Sequence, residues 1–557
     1  MTNSTFLNIA ATLHETATQR PNQAAVIEPG GRSVSFRELD DLSDRLAHGM
    51  IGMGIEPGRR LVLMVRPGIE FIALTFALFK AGAVVVLIDP GMGPRRVFRC
   101  LDHVEPDGFV ALSIVHALRV LSGRRFSSAR WNVTVGRKWF WAGATYAGLL
   151  GNEAALSGRR EHPGTDVPRS PVIVQTKRID PAAIIFTSGS TGPAKGVVYE
   201  HGMFAAQVAA LRDFYQIEPG GIDLPGLPLF ALFNGAMGVT TVIPDMNPAR
   251  PAQVDPRKFA GAIGRERVTQ GFGSPAIWNR VGRYCESHNI TFPALRRVFS
   301  AGAPVPVDVL ARMKATLVAE GAEMYTPYGA TEALPVTSIT ATEVISRTAD
   351  QTRRGAGTCV GRPFPSIRMK IIAIVDGPIG SLAETRELPA NEIGEIIVQG
   401  EVVTREYFRR PEATAAAKIA DGQTFWHRMG DVGYLDDAGS LWFCGRKSQT
   451  VETPGGRMFT DRVEPIFNTH PRVARCALVG LGARPAQVPA IVVELESGTP
   501  SAALTAHLTT ELRQIALAHE NTRCIERFLY FRGSLPVDVR HNTKINREQL
   551  AEWAAAQ

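Results

Sequence analysis

Cysteine is scarce and dispersed. The chain of 557 residues has six, Cys100, Cys285, Cys359, Cys444, Cys476 and Cys524, and no two form a CxxC pair. That excludes a disulfide framework and a cysteine-based metal site, and it points to a reduced, cytoplasmic protein. Uninterrupted hydrophobic runs are lacking too. The most apolar stretch, Phe71 to Ile88, carries Lys80 in its middle. It reads as a helix (FIALTFALFKAG) turning at Gly82 into a buried strand (AVVVLID), not as a membrane span. Asp89-Pro90-Gly91 then ends the strand. The N-terminal MTNSTFLNIAATLHETATQRPNQ has neither a basic n-region nor a sustained apolar stretch, so a secretory signal is not expected. Long runs of one charge are also absent: 61 Lys plus Arg stand against 53 Asp plus Glu, a net of +8 over the whole chain. With no basic run to follow a phosphate backbone, nucleic acid is not an expected partner. The surplus suits anionic small molecules, and weak peripheral contact with a membrane is left open.

What is present is an ordinary globular mixture, 45% hydrophobic and 20% charged. The length allows about two to four domains. Short apolar runs (RLVLMV, AVVVLID, AAIIFTS, VTTVIP, RRVFSAG) alternate with helix-length amphipathic segments, the pattern of an α/β chain with buried, largely parallel strands. Residues 152–180 are polar and punctuated by proline and are expected to be a surface linker; residues 340–356 look similar. GEIIVQG and SLWFCGRK read as antiparallel segments, with a turn at Asp436-Asp437-Ala438-Gly439. After Arg446 a new pattern begins. VEPIFNTHPRV, ARCALVG, PAIVVEL, a helix near 501–519, RFLYFRG and a last helix from Arg547 make an α+β unit of about 110 residues.

The most informative stretch is Ile184-Ile185-Phe186-Thr187-Ser188-Gly189-Ser190-Thr191-Gly192-Pro193-Ala194-Lys195-Gly196. A buried strand runs into a loop of hydroxyls and glycines that closes on a lysine. Glycines let backbone N–H groups approach an anion, hydroxyls add donors, and the lysine adds a point charge. It is not a Walker A loop, which needs glycine where Ala194 stands.

TSGSTGPAKG resembles the phosphate-loop signature of the adenylate-forming superfamily of acyl-CoA synthetases, luciferases and peptide-synthetase adenylation domains. Five further motifs follow in that superfamily's order. Ser300-Ala301-Gly302-Ala303-Pro304 resembles its adenine-side loop, and Tyr328-Gly329-Ala330-Thr331-Glu332 its aromatic-Gly-x-Thr-Glu motif. His427-Arg428-Met429-Gly430-Asp431 is similar to its ribose motif. Gly445-Arg446 resembles the hinge, and Asn542-Thr543-Lys544-Ile545-Asn546-Arg547 the terminal lysine motif. The resemblance implies ATP and Mg²⁺ as cofactors. Thr187, Ser188, Gly189, Ser190, Thr191, Gly192 and Lys195 would hold phosphates, and Ala301, Gly302, Ala303 and Pro304 would line adenine. Tyr328 would stack on the base beside Gly329 and Ala330, Thr331 would reach the α-phosphate, and Glu332 would hold Mg²⁺. Asp431 would accept from both ribose hydroxyls, Arg446 would open the hinge, and Lys544 would reach the α-phosphate and the carboxylate. It also implies an α/β fold with a large N-terminal domain over 1–446, of layered α/β subdomains plus a small β-barrel-like part, and a small mobile α+β lid over 447–557.

Two departures bear on the acceptor. At the hinge, Ser448 replaces the usual Asp or Lys, and Val451-Glu452 followed by Thr453-Pro454 replaces Ile/Val-Lys. Relatives that form thioesters pass a pantetheine arm there, so CoA transfer is in doubt. Ala231 stands where many acyl-activating relatives carry histidine, which leaves room for an acid branched at its α-carbon. The segments PLFALF, VIPDMNP, FGSPA, TPYGATEALPV, GAGTCVGRP, FWHRMGDVGYL and LWFCGRK closely resemble one branch, the bacterial β-lactone synthetases of olefin biosynthesis. That resemblance implies a 2-alkyl-3-hydroxy fatty acid as substrate. It also makes neighbouring pathway enzymes (a hydrolase or decarboxylase, a reductase) conceivable partners. The alternative is a fatty-acyl-CoA or acyl-carrier-protein ligase on the same scaffold; a non-catalytic nucleotide-binding subunit is a third reading, opposed by Lys195, Glu332, Asp431 and Lys544. No base for the 3-hydroxyl is evident. His427 is read as structural, and Arg428 or Lys544 as steadying the departing AMP.

Overall fold

The computed structural model describes residues 6–151, 171–187, 194–497, 501–537 and 545–557. Most of the expected linker, 152–170, lies outside them. The chain forms two compact units: Met1–Ala249 with Val254–Phe272 and Glu401–Thr414, and Arg250–Gln253 with Gly273–Gly400 and Ala415–Gln557.

The first unit is built on a seven-stranded sheet. Its order is Ala144–Thr145, Trp131–Val135, Gly108–Leu112, Arg60–Met64, Val84–Ile88, Pro181–Thr187 and Lys195–Glu200. All neighbours are parallel except the last pair. Helices cover such a sheet on both faces, so its strands read as unbroken apolar runs, and Val84–Ile88 is buried at every position. The helix before it, Ile69–Lys80, is buried from end to end. Lys80 could not sit there unpaired. Its Nζ lies 2.6 Å from Asp40 Oδ1 and 2.7 Å from Asp44 Oδ1, both on the helix Phe36–Gly52. A second set of strands in this unit, Gln270–Phe272, Ile222–Pro225, Thr240–Val242 and Ala24–Ile27, is parallel, with Ser33–Ser35 antiparallel at its edge.

The second unit is mainly antiparallel. Its strands run Arg368–Ile372, Gly394–Gln399, Thr424–Leu435, Leu441–Arg446, Thr358–Pro363, Ala333–Thr340, Glu323–Ala330 and Arg297–Phe299, with Lys418–Asp421 added onto Thr424–Leu435. GEIIVQG and SLWFCGRK take antiparallel places, as the sequence suggests. Asp436 makes the turn between Thr424–Leu435 and Leu441–Arg446, its Oδ1 accepting from Ala438 N and Ser440 N. One expectation fails: 340–356 is not a linker. Residues Ala341–Arg353 are helical, opened by a capping box in which Thr340 Oγ1 accepts from Glu343 N and the Glu343 carboxylate accepts from Thr340 N. The Thr-x-x-Glu spacing carried that signal, and the polar composition hid it.

Residues from Val451 onward build a three-stranded sheet of Val473–Leu481, Val488–Leu495 and Arg527–Tyr530. Alternate residues supply two cores. Leu478, Ile491 and Val493 face Phe467, Leu508 and Leu512. Ala477, Val479 and Val492 face Leu535 and Leu550. The helices Ala502–Ala518 and Arg547–Ala555 lie where the sequence predicts them. This body is seated on the strand Thr358–Pro363 and the turn before it. The Gly355 carbonyl accepts from both Arg462 Nε (2.8 Å) and Asn521 Nδ2 (3.1 Å), and Thr358 Oγ1 donates to Asp461 (3.4 Å). Burial raises Asp461 to about 6.

Candidate active site

In the first unit the phosphate-loop sequence is the connection of a hairpin. Thr187 and Lys195 are partners across the antiparallel pair, and Phe186 faces Gly196. A Cβ on Gly196 would come within 2.8 Å of Ile184 and 2.9 Å of Phe186, so glycine is what lets the return strand lie flat there. Lys195 Nζ sits 4.7 Å from the centre of the Tyr407 ring, which holds the ammonium by cation–π attraction. Ser188, Gly189, Ser190, Thr191 and Gly192 lie outside the described residues. Pro181–Thr187 is parallel to its neighbour Val84–Ile88, so Thr187 stands at the carboxyl edge of the sheet, where ligands bind in such folds.

Ala231, the position open to a branched acid, begins the helix Ala231–Met237 and is buried. Beside it Phe230 stacks on Phe272, ring centres 4.1 Å apart. Gly235 on the same helix faces Phe76 so closely that a Cβ would stand 3.1 Å from the ring. Phe230, Phe272 and Phe76 give this helix apolar neighbours, and its one buried amide, Asn234, is turned to Asp223 at 2.8 Å.

The second unit holds the remaining residues that the sequence suggests for the nucleotide. Strands Glu323–Ala330 and Ala333–Thr340 form a hairpin in which Ala330 pairs with Ala333. Thr331 and Glu332 are thus the two residues at its tip, both partly buried. A Cβ on Gly329 would meet the Ala333 carbonyl at 2.7 Å, so the tip needs that glycine. The adenine-side residues Ala301, Gly302, Ala303 and Pro304 follow the strand Arg297–Phe299, with Gly302 at φ +94. Ser300 N–H donates to the Tyr325 carbonyl at 3.0 Å and ties that loop to the hairpin.

Tyr328 and Asp431 meet directly, the phenol donating to Asp431 Oδ2 at 2.5 Å. Asp431 is the cross-strand partner of Arg446, whose Nη1 lies 2.8 Å from Oδ1. Asp431 is 2% exposed. Its negative charge, with that of Glu332, raises the Arg446 guanidinium, while burial and the same carboxylate push the Tyr328 phenol well up, so that it stays a neutral donor. Tyr328, Glu332, Asp431 and Arg446 therefore form one electrostatic cluster: a carboxylate held by a phenol and a guanidinium, with a second carboxylate nearby.

The structure corrects the role of Arg428. Its Nε and Nη2 fork onto Glu395 at 2.8 and 2.7 Å, and its remaining donors go to the carbonyls of Val375, Gly377 and Ala416. Both partners are buried. With its donors engaged, Arg428 braces the strand that carries Asp431 and is not free to steady AMP. His427 is structural as read: buried, with Nδ1 3.1 Å from both the Ala417 carbonyl and Lys418 Nζ. Lys418 itself gave no signal in the sequence. It is half-buried, and desolvation lowers its ammonium to about 7 while Glu332 pushes the other way. Lys544 lies outside the described residues. Of its motif, Ile545 bridges to Val537, and Arg547 forks onto Glu464 at 2.7 and 2.8 Å. No cluster of three potential metal ligands occurs among the described residues. Glu332 alone suits a cation delivered with phosphate oxygens, as Mg²⁺ is usually held.

Thr187 and Lys195 paired across a hairpin, a Thr-Glu hairpin tip, and a buried carboxylate held by a phenol and a guanidinium fit one class, an ATP-dependent, AMP-forming ligase of the adenylate-forming fold. Residues 13–408 match the family described as AMP-binding enzyme, and the chain belongs to that family. The chain is 47% identical to an olefin beta-lactone synthetase of Stenotrophomonas maltophilia, covering 99% of this chain and 98% of the relative. An olefin beta-lactone synthetase of Xanthomonas campestris is also 47% identical, covering 100% and 98%. Among solved structures, an amide bond synthetase from Marinactinospora thermotolerans superposes with a TM-score of 0.76 at 24% identity, covering 98% of this chain and 99% of that one. That match supports the fold.

Proposed function

We propose that this enzyme is a β-lactone synthetase, which adenylates a 2-alkyl-3-hydroxy fatty acid and closes it to a β-lactone. The observation that carries the reading is 47% identity, end to end, with two olefin beta-lactone synthetases. The hinge departures agree with it. Val451–Thr453 and Gly456–Met458 form a hairpin in which Glu452 faces Arg457, so an anion replaces the usual lysine on a structured element. The apolar setting of Ala231 suits an alkyl branch.

In the first step the carboxylate attacks the α-phosphate and pyrophosphate leaves. Lys195 and the hydroxyl loop hold phosphates, Thr331 donates to the α-phosphate, and Asp431 fixes the ribose. Glu332 would hold Mg²⁺, which neutralises charge on the phosphates. Lys544, on a lid of residues 447–557 that moves between steps, bridges the α-phosphate and carboxylate. In the second step the substrate's 3-hydroxyl attacks the acyl carbon. The new C–O bond closes the ring, the acyl–phosphate bond breaks, the hydroxyl proton is released, and AMP leaves. A tethered nucleophile is already at high effective concentration, so no second substrate is required. The test is incubation with ATP, Mg²⁺ and a syn-2-alkyl-3-hydroxy acid without CoA, followed by NMR. AMP, pyrophosphate and a β-lactone are expected. AMP release only when CoA is added, with acyl-CoA as the product, would establish the ligase instead.

A further inference from the structure

The first unit exposes an unusual concentration of large apolar side chains. On the helix Ser113–Leu121, Ile114, Leu118 and Leu121 are 57, 50 and 77% exposed. Their i, i+4, i+7 spacing places them on one face. Trp139 and Phe140 are 50 and 69% exposed on the loop after the strand Trp131–Val135. That loop is fastened beside the helix. Ser113 Oγ donates to the Arg137 carbonyl, and Trp141, in contact with Trp139 and Phe140, stacks on His116 of the helix at 5.7 Å.

The charge around this patch has one sign. Residues 108–151 contain Arg119, Arg124, Arg125, Arg130, Arg137 and Lys138 and no Asp or Glu. Arg125 pairs with Asp102. Arg137 and Lys138, on the aromatic loop itself, are exposed, and no ion pair joins them to a carboxylate among the described residues; Arg124 and Arg130, also exposed, follow the far end of the helix and precede the amino end of the strand Trp131–Val135. Strands Gly108–Leu112, Trp131–Val135 and Pro181–Thr187 are parallel members of one sheet. The helix and the aromatic loop therefore leave from its carboxyl edge, the edge at which Thr187 stands.

We propose that the Ser113–Leu121 helix and the Arg137–Phe140 loop form an interfacial surface that seats this enzyme on a bilayer rich in anionic lipid. Apolar side chains on one helix face enter the headgroup–acyl boundary, Trp139 and Phe140 sit at headgroup depth, and Arg137 and Lys138 meet lipid phosphates. A bilayer offers both chemistries over an area with no fixed shape. A protein partner would need an acidic rim matched to each cation. No helix among the described residues is long and apolar enough to cross a membrane, so the contact is peripheral.

The test is co-sedimentation of the full chain with phosphatidylcholine vesicles, with and without about one-third phosphatidylglycerol, at low and high salt. Binding at least tenfold tighter to the anionic vesicles, weakened by salt, is expected. Trp139→Ser with Phe140→Ser, and separately Arg137→Glu with Lys138→Glu, should each lower vesicle binding about tenfold or more. Circular dichroism and ATP-dependent pyrophosphate release with a water-soluble acid should not change. Equal binding of all proteins, or no preference for phosphatidylglycerol, overturns the proposal. So does a change in oligomeric state on light scattering in the variants without any vesicle binding, which would make the patch a contact between protein chains.

Discussion

Replacing Asp431 with asparagine keeps the side chain's shape and removes its charge. The carboxylate has two oxygens, one taken by the Tyr328 phenol and one by Arg446, and each has a further lone pair for a ribose hydroxyl. An amide has only one oxygen. If that oxygen faces Tyr328, an NH₂ group faces the guanidinium, donor against donor, and one ribose acceptor is gone. Hydrogen bonds to charged groups contribute about 1.5–3 kcal/mol each. Loss of one or two predicts about 2–5 kcal/mol, or roughly 30- to 3,000-fold in kcat/KM for ATP. The assay is pyrophosphate release with ATP and with 2′-deoxyATP for both proteins. Wild type should lose activity on the deoxynucleotide, and Asp431→Asn should lose less, because part of its ribose contact is already missing. If the penalty of the substitution is the same with both nucleotides, Asp431 does not hold the ribose.

Three further outcomes follow from the geometry. His201 is fully buried, its Nδ1 accepts from Ile9 N–H, and desolvation lowers it to about 4. Below about 6.5 the unfolded chain takes up a proton that the folded one refuses, so stability falls as pH drops from 6.5 to 4, by about 3 kcal/mol. His201→Asn keeps an acceptor without that titration, and urea midpoints at pH 7.5 and 4.5 should shift less in the variant; equal shifts would refute it. Arg428→Met leaves Glu395 buried without its fork and should cost about 3–5 kcal/mol in stability, with the KM for ATP of the surviving folded enzyme nearly unchanged. A large rise in KM at unchanged Tm would restore Arg428 to the nucleotide. Gly445 has φ +141, and a Cβ there would meet Thr460 Oγ1 at 2.5 Å. Gly445→Ala should lower thermal stability by about 1–3 kcal/mol and slow turnover; an unchanged melting curve would show that the hinge tolerates the close approach.

The parallel sheet was legible because burial on both faces leaves unbroken apolar runs, and Val84–Ile88 is one. Two motif positions have a visible structural reason for their type: glycine at 329 admits a close carbonyl, and the carboxylate at 431 answers a phenol and a guanidinium. What was hidden depends on distant partners. Nothing near Arg428 announces that Glu395 and three carbonyls claim its guanidinium. Lys418 looks like any surface lysine until Glu332 and His427 are brought beside it. Lys80 resembles an interruption of an apolar run, and only Asp40 and Asp44, on another helix, explain it. At 340–356 the signal was local and was overlooked, since the capping box lies in four consecutive residues.

The single carbonyl of Gly355 that receives Arg462 and Asn521 has a consequence for how freely the C-terminal body can change place. Two hydrogen bonds to one acceptor are each worth about 0.5–1.5 kcal/mol net, since all three groups regain water on parting. This polar part of the seat therefore contributes about 1–3 kcal/mol. Taken alone, bonds of that scale would leave a released arrangement at roughly 1–15% of molecules. For the mobile lid proposed above, this polar contact would then act as a detent, defining a resting position while the apolar packing beside it sets how firmly that position is held.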